Sequence, residues 1–471
     1  MPMFNPEIIE KLEDIVGSEG VHVSPDQLAA HGYDVGRGEG QIPEGMVFPS
    51  DTRQMSAMMI LANRENMTVL PEGAGSRRYL SSSLERTLVL STLKMNRILD
   101  MDRESLKVTL EAGVTLETLQ DALGQVGLYF PPYPWCFEES TIGGCAANGI
   151  GGPASVKHGV FKQYVLGMEV VLPSGEVTRI GGQTVKNVVG YDLTSLFCGS
   201  GGSLGLIASL TLRIVSKPRT EKLLITGFKS PTSACAAMQE VAASGRGPER
   251  IALLDPWTTR KMTSFSPPGI PWGQGATVLC QIAGLEEVVA SETDIFLQLM
   301  TNRGGTVVKA MQDPSEAAAI WHAQGRCLSA INAAASSLMT WDIMVPRSRA
   351  LMMMEEMEQT ADQHALNLVH GGYYGNGVFH PVVLVPDNDE VTLENARAAF
   401  RKLARFALSR KGNCAGPFRR VGIETAKFHV PLDPYMQSLV LGIKRALDPN
   451  GMMKPLPFSS TPEPETASRI E

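Results

Sequence analysis

No two of the seven cysteines stand in a C-x-x-C pair. That spacing is what an ordinary four-cysteine iron–sulfur or zinc knuckle requires, so neither is expected within this chain. Scattered single cysteines at 136, 145, 198, 235, 280, 327 and 414 read as buried reduced thiols of a cytoplasmic protein. No apolar stretch approaches the length that spans a bilayer. The opening residues "MPMFNPEIIEKLEDIVG" have neither a basic start nor an apolar block, which argues against a signal peptide. Lys/Arg runs are also missing, and the formal net charge of -7 disfavours a general binder of nucleic acid or acidic membrane. There are no internal repeats.

What is present is the composition of a folded, water-exposed chain: 43% hydrophobic and 19% charged over 471 residues, too long for one compact core. Helical periodicity covers 7–16 and 52–66, with Ser50 or Asp51 as N-cap of the second. Short strand-like runs follow ("MTVLPEG", "RTLVLST", "LKVTLEAG", "LIASLTLRIVSK"), joined by glycine-rich connections, with one capped amphipathic helix in "VTLETLQDALGQVG". "KPRTEK" marks a change of character. Beyond it, strands such as "LLITGFKS", "TVLCQIAG", "MTWDIMVP" and "HPVVLVP" alternate with long helices at 287–302, 347–363 and 389–410. The expected fold class is α+β throughout. The expected domains are 1–217, a second α+β domain with an antiparallel sheet over 218–445, a segment 446–458 returning to the first domain, and a disordered tail 459–471. The methionine-heavy "LMMMEEMEQT" is read as core packing, because thioether ligation needs other soft donors nearby.

Three glycine loops carry the chemistry. In "VLPEGAGSRR" a strand runs into Gly73-Ala74-Gly75-Ser76, where small residues let backbone amides approach an anion such as a diphosphate and the serine adds a donor. In "STIGGCAANGIGG", Thr141, Gly143 and Gly144, with Asn148 beyond, form a surface on which a flat or phosphorylated ligand lies closely. The third loop, within "TVKNVVGYDLTSLFCGSGGSLGLIASLTLRI", leads from a helix into a strand. A nicotinamide-type G-x-G-x-x-G is set aside: Gly199, Gly201 and Gly205 miss its spacing, and a strand rather than a helix follows.

In this order the segments resemble the FAD domain of the vanillyl-alcohol oxidase type, and within it the FAD subunit of glycolate oxidase and the FAD-linked D-lactate dehydrogenases. The resemblance is carried by P-x-G-A-G-S at 71–76, T-I-G-G-x-x-A-x-N-x-x-G at 141–152, and "YVLGMEVVLPSGEVTRIGGQTVKNVVGYDLTSLF". It implies a two-subdomain FAD-binding domain followed by a cap domain over the substrate. It implies that Gly73, Ala74, Gly75 and Ser76, with Thr141, Gly143 and Gly144, cradle the FAD diphosphate. Asn148, Gly152, His158 and Gly159 would then lie by the ribityl chain or flavin, and Val189, Gly190 and Ile207 on the adenine side. Glu72 departs from the arginine often found before the first loop. An acid beside a diphosphate is unfavourable, so Glu72 is expected to point outward, with Arg77 or Arg78 offsetting its charge. The cysteine motif of relatives with covalently attached flavin does not match around Cys145, so noncovalent FAD is expected.

"VHGGYYGNGVFHP" at 369–381 is where the hydroxyacid-dehydrogenase branch reads H-x-G-D-G-N-x-H-P, both histidines binding a divalent metal. Aligning His380-Pro381 puts Tyr373 at the first histidine, and His370 falls three residues too early. A later G-E-H-G should supply a carboxylate ligand and a catalytic histidine, but Pro417 and Phe418 stand there. One imidazole and a tyrosine make a poor divalent site, so no metal is expected. His380 or Tyr373 remains as a catalytic base, with a packed histidine as the competing reading. The family's substrate anchors depart too: W-x-x-R ends in Gln324, the lysine of Y-K-Y-D is Thr340, and Lys454 replaces an asparagine. Arg326, Arg419 and Arg420 are the candidates for a hydroxyacid carboxylate. The resemblance implies FAD-dependent oxidation of D-lactate or glycolate by hydride transfer to flavin N5. Electrons would leave to an iron–sulfur or electron-transfer-flavoprotein partner, in the cytoplasm or beside a membrane-side complex. The alternatives are an FAD-binding electron-transfer or assembly subunit without its own substrate chemistry, and an enzyme of the same fold acting on another substrate.

Overall fold

The computed structural model describes residues 4–29, 31, 33–34, 40–75, 85–132, 134, 138–334, 337–386, 389–415 and 433–455. Ser76, Arg77, Arg78, Pro417, Phe418, Arg419, Arg420 and the tail 459–471 lie outside them.

The first half holds two sheets. One is four-stranded, and its strands Gly45–Val47, Thr87–Ser91 and Thr68–Glu72 run parallel. Parallel neighbours need a crossover, and the helix Thr52–Arg64 supplies one between the first and last of these. That helix starts where its sequence says it should: the Asp51 side chain accepts from the Gln54 amide at 2.8 Å, a cap that contributes about 1 kcal/mol. Met55, Met58 and Met59 on its inner face are fully buried against Val69 and Leu88.

The other sheet is antiparallel, five strands in the order Val177–Gly181, Val165–Val171, Leu206–Arg213, Lys107–Glu111, Ile98–Asp102. Its core packs under the helix Leu116–Gly124, whose Leu116, Leu119 and Leu123 share one face at helical spacing.

The second half is built on two antiparallel sheets. In the first, Thr220–Phe228 and Ala276–Gly284 pair along nine residues each, with Arg250–Leu254 and Thr306–Met311 at the edges. In the second, Val378–Val385 takes Ser337–Thr340, Asp342–Met344 and Leu368–Tyr373 as partners. The helices Pro231–Ala243, Glu286–Asn302, Ala350–Gln363 and Glu390–Ser409 cover these sheets. Met353, Met354 and Met357 of "LMMMEEMEQT" are fully buried there as packing.

The chain then returns to its beginning. The Val69 amide donates to the Met452 carbonyl at 2.7 Å and the Lys454 amide to the Val69 carbonyl at 3.2 Å, so 452–454 lies along the parallel sheet. A buried charge pair holds the return in place. Lys444 Nζ, on the helix Pro434–Leu447, donates to Asp448 Oδ2 at 2.5 Å and to the Ser203 carbonyl at 2.6 Å. Asp448 in turn accepts from the Met452 and Met453 amides, both at 3.0 Å.

Candidate functional site

Where the parallel strand Thr68–Glu72 ends, its loop meets the helix Ile142–Asn148 and the turn before Leu206–Arg213. Between them lies a cleft of about 1150 Å³, its open mouth included. Gly73, Ala74, Gly75, Thr141, Gly143, Gly144, Asn148 and Ile207 all line it, three sequence segments brought to one place. Gly201, Gly202, Gly205 and Lys454 are also part of the lining.

The glycines at this junction are dictated by contact. A Cβ on Gly73 would sit 2.1 Å from Thr141 Oγ1, and one on Gly143 would sit 2.6 Å from the Ala112 Cβ. The first loop therefore packs its bare backbone against the Thr141 side chain, and the second packs against Ala112, with no room for a larger residue at either glycine. Thr141 caps its helix, accepting from the Gly144 amide at 3.3 Å, while the Gly143 amide is spent on the Ala112 carbonyl at 2.8 Å. Among the described residues the amides of Gly73, Ala74 and Gly75 have no acceptor. Clustered open amides among small residues suit the diphosphate of a dinucleotide.

Glu72 does not point outward. Along a strand, alternate residues share a face, so Glu72 goes in with Leu70; it is buried and meets His31 Nδ1 at 2.9 Å. An imidazole from the first fifty residues hydrogen-bonds the acid next to the cradle, a partner that no local pattern announced.

Other expected cofactor residues are placed away from this lining. The Gly152 amide donates to Ser155 Oγ at 2.8 Å, and the Cβ position of Gly159 is occupied by Gln163. Val189 and Gly190, expected on the adenine side, lie on a connection that projects from the sheet between Val177–Gly181 and Leu193–Phe197; Val189 is 87% exposed. His158 is drawn into a different structure. Its Nε2 meets Glu249 Oε1 at 2.7 Å; Lys157 Nζ donates to Glu249 Oε2 at 3.0 Å, and the Tyr129 hydroxyl donates to the same carboxylate. Burial alone would push the Glu249 carboxyl up, but His158, Tyr129 and Lys157 together hold it down at about 2. Burial and the Glu249 charge push the Tyr129 hydroxyl up. Glu249 belongs to the second half of the chain and its three partners to the first. Beside it the Ile251 amide donates to the Pro153 carbonyl at 3.1 Å, and the turn at Gly375 rests against Val156.

That turn joins the strands bearing the two candidate bases. Tyr373 is buried, and its ring meets the His380 ring edge-on, centroids 5.5 Å apart at 85°. His380 Nδ1 is hydrogen-bonded to Asp342 Oδ1. Asp342 was not singled out from the sequence. The signal was its position: Ile343 pairs with Phe379 and Met344 with Val378, so Asp342 comes opposite His380. His370 is fully buried, its Nδ1 has no hydrogen-bond partner, and burial lowers its pKa. Its strand residue pairs with Pro381, not with His380. Among the described residues no three His, Cys, Asp or Glu side chains converge as a metal-binding group. Tyr373 offers a phenol where an imidazole would be needed, and no third donor joins His380 and Asp342, so the described residues do not fit a divalent ion.

Arg326 is exposed on the helix Pro314–Ala333, in a groove with Phe265, Ser266 and Pro267. Gln324 and Trp321 of the altered W-x-x-R are buried, and His322 pairs with Glu138 at 2.8 Å across the two halves.

Comparison with known proteins agrees with this geometry. Residues 43–181 match the family described as "FAD binding domain". Residues 217–457, half of the chain, match "FAD linked oxidases, C-terminal domain". The chain belongs to the FAD-linked oxidases. FAD is accordingly its cofactor. The glycolate oxidase subunit GlcD of Bacillus subtilis (strain 168) is 27% identical over 454 residues, 96% of this chain and 97% of that one. A probable mitochondrial D-lactate dehydrogenase of Danio rerio is 26% identical, covering 95% and 90%. Among solved structures, p-cresol methylhydroxylase with substrate bound superposes with a TM-score of 0.75 at 17% identity over 95% of each chain. Alkyldihydroxyacetonephosphate synthase gives 0.75 at 17%, covering 96% and 85%. At that identity the likeness is one of fold: an α+β FAD-binding domain with an α+β cap. Among the described residues no helix is long and apolar enough to cross a membrane.

Proposed function

We propose that this FAD-linked oxidase oxidises a small 2-hydroxy acid such as D-lactate or glycolate and passes the electrons to a partner protein. Bound FAD supplies the hydride acceptor, at flavin N5. The chain supplies the rest. The open amides of Gly73, Ala74 and Gly75 hold the diphosphate against the small-residue wall of Thr141, Gly143 and Gly144, and Asn148 and Ile207 flank it. His380 takes the hydroxyl proton through the ring nitrogen not engaged by Asp342, and Tyr373 walls the imidazole from the side. The observation that carries the reading is the carboxylate-bound imidazole beside a buried tyrosine, on the hairpin whose turn rests on the first domain. Relatives named as glycolate oxidase subunit and D-lactate dehydrogenase give the substrate class. Arg326 serves as a carboxylate anchor in this reading, with Arg419 and Arg420 as the further cations.

A partner for the electrons is supported by the cysteines. Six of the seven are buried among the described residues, where no three Cys, His, Asp or Glu side chains come together as a cluster-binding group. Burial pushes the Cys198 and Cys327 thiols up to about 12. An iron–sulfur protein or an electron-transfer flavoprotein would take that role.

The test is anaerobic mixing of the yellow protein with D-lactate, glycolate and 2-hydroxyglutarate. Bleaching of the flavin by D-lactate or glycolate is the expected result. The second reading, an electron-transfer or assembly subunit, is favoured by the loss of any three-donor metal group among the described residues. It is the conclusion if no acid bleaches the flavin while a co-purified partner reduces it.

A further inference from the structure

His380 and Asp342 are held together by strand pairing as well as by their hydrogen bond. Their strands, Val378–Val385 and Asp342–Met344, pair antiparallel, and directly opposite residues on such strands project to the same face. Each neighbour in sequence is an anchor. Phe379 and Ile343 are fully buried, and the Trp341 ring stacks on Phe400, centroids 3.2 Å apart. On its other edge Asp342 pairs with Ala415, so this strand is fixed from both sides. The dyad therefore sits on rigid backbone, as a group that must be aimed has to.

The chemistry follows from which ring nitrogen is used. A carboxylate at Nδ1 selects the tautomer with the proton on Nδ1 and leaves Nε2 as the basic atom. The same carboxylate stabilises the imidazolium once Nε2 has taken a proton. We propose that Asp342 is the positioning residue for His380, performing here by orientation and charge what a divalent ion would do by polarising the substrate hydroxyl. The proton leaves the hydroxyl oxygen for Nε2, and the Asp342 carboxylate remains ionised throughout. The identity of the proton donor rests on the function proposed above; the pairing and its tautomer do not.

Two measurements on the full-length FAD-loaded protein test this. The chain has eight histidines, so 15N-histidine labelling with His380→Asn as the assignment variant isolates one imidazole. The wild-type ring should show a protonated Nδ1 and a bare Nε2, and Asp342→Asn should lose that preference. In anaerobic stopped flow, Asp342→Asn should slow the limiting rate of flavin reduction about a hundredfold or more, the scale of general-base assistance. The acid concentration for half-maximal rate and the FAD content should stay near wild type, and Asp342→Glu should recover part of the rate. A wild-type ring protonated at Nε2 overturns the proposal. So does an Asp342→Asn protein that reduces at the wild-type rate, one whose defect is lost FAD, or a wild-type rate that a chelator abolishes. If no hydroxy acid reduces the wild-type flavin, the proposed function fails on that result. The nitrogen spectra then decide the pairing by themselves.

Discussion

Replacing Glu249 with Gln would show how the second domain is held against the first. The carboxyl is 4% exposed and receives donors from Tyr129, His158 and Lys157, all on the other domain. Those donors overcome the cost of burial and take the carboxyl from an ordinary value of 4.5 to about 2. That depression corresponds to about 3 kcal/mol of stability at neutral pH. The folded carboxyl releases its proton more readily than the unfolded one. The stabilisation is therefore complete above the unfolded value near 4.5 and drains away as pH falls from there towards 2. Glutamine keeps the shape and removes the charge, leaving a partly buried lysine and two other donors facing a neutral amide. The expected loss at pH 7 is about 2–4 kcal/mol, within the range for breaking a buried pair. Urea titrations at pH 7, 5 and 3, followed by tryptophan fluorescence and circular dichroism, measure it. The wild-type and Glu249→Gln curves should be well apart at pH 7 and 5 and approach each other at pH 3. Coincident curves at pH 7, or a gap as wide at pH 3 as at pH 7, would refute the reasoning.

Gly73→Ala drives a methyl into Thr141 Oγ1, so the variant should fold but purify with most of its flavin absorbance missing, read directly from the visible spectrum. Lys444→Met strands the Asp448 carboxylate in a buried setting and should cost about 3–5 kcal/mol, measured by denaturant unfolding. The double variant Lys444→Met/Asp448→Leu should regain part of that loss, because the two residues form one unit. Cys198 and Cys327, both buried and with thiols near 12, should resist alkylation at pH 8 in the folded protein and react once urea exposes them, as a thiol titration would show.

The cofactor cradle was legible because its physics is local. A loop packed this closely has to be glycine and alanine, and it was for that reason that Gly73–Gly75 and Thr141–Gly144 could be read as segments that meet at one cleft, whereas Ile207 came only from the family resemblance. Helix starts were readable for the same kind of reason, as at Asp51. What stayed hidden was every polar side chain whose partner is remote in sequence. Glu72 is joined to His31 across 41 residues, His380 to Asp342 across 38, and His158 to Glu249 across 91. Taken singly, Glu72 is an awkward acid, His158 a flavin contact and His380 an isolated base. Taken with their partners, Glu72 is hydrogen-bonded to His31 inside the sheet, His158 joins the two halves through Glu249, and His380 is held by a carboxylate. The step from motif to mechanism therefore turned on strand register, since one residue of slip would have sent Asp342 to the opposite face from His380. A loop motif names the cofactor, but the carboxylate beside the proposed base comes into view only once two strands of a different domain have been set side by side.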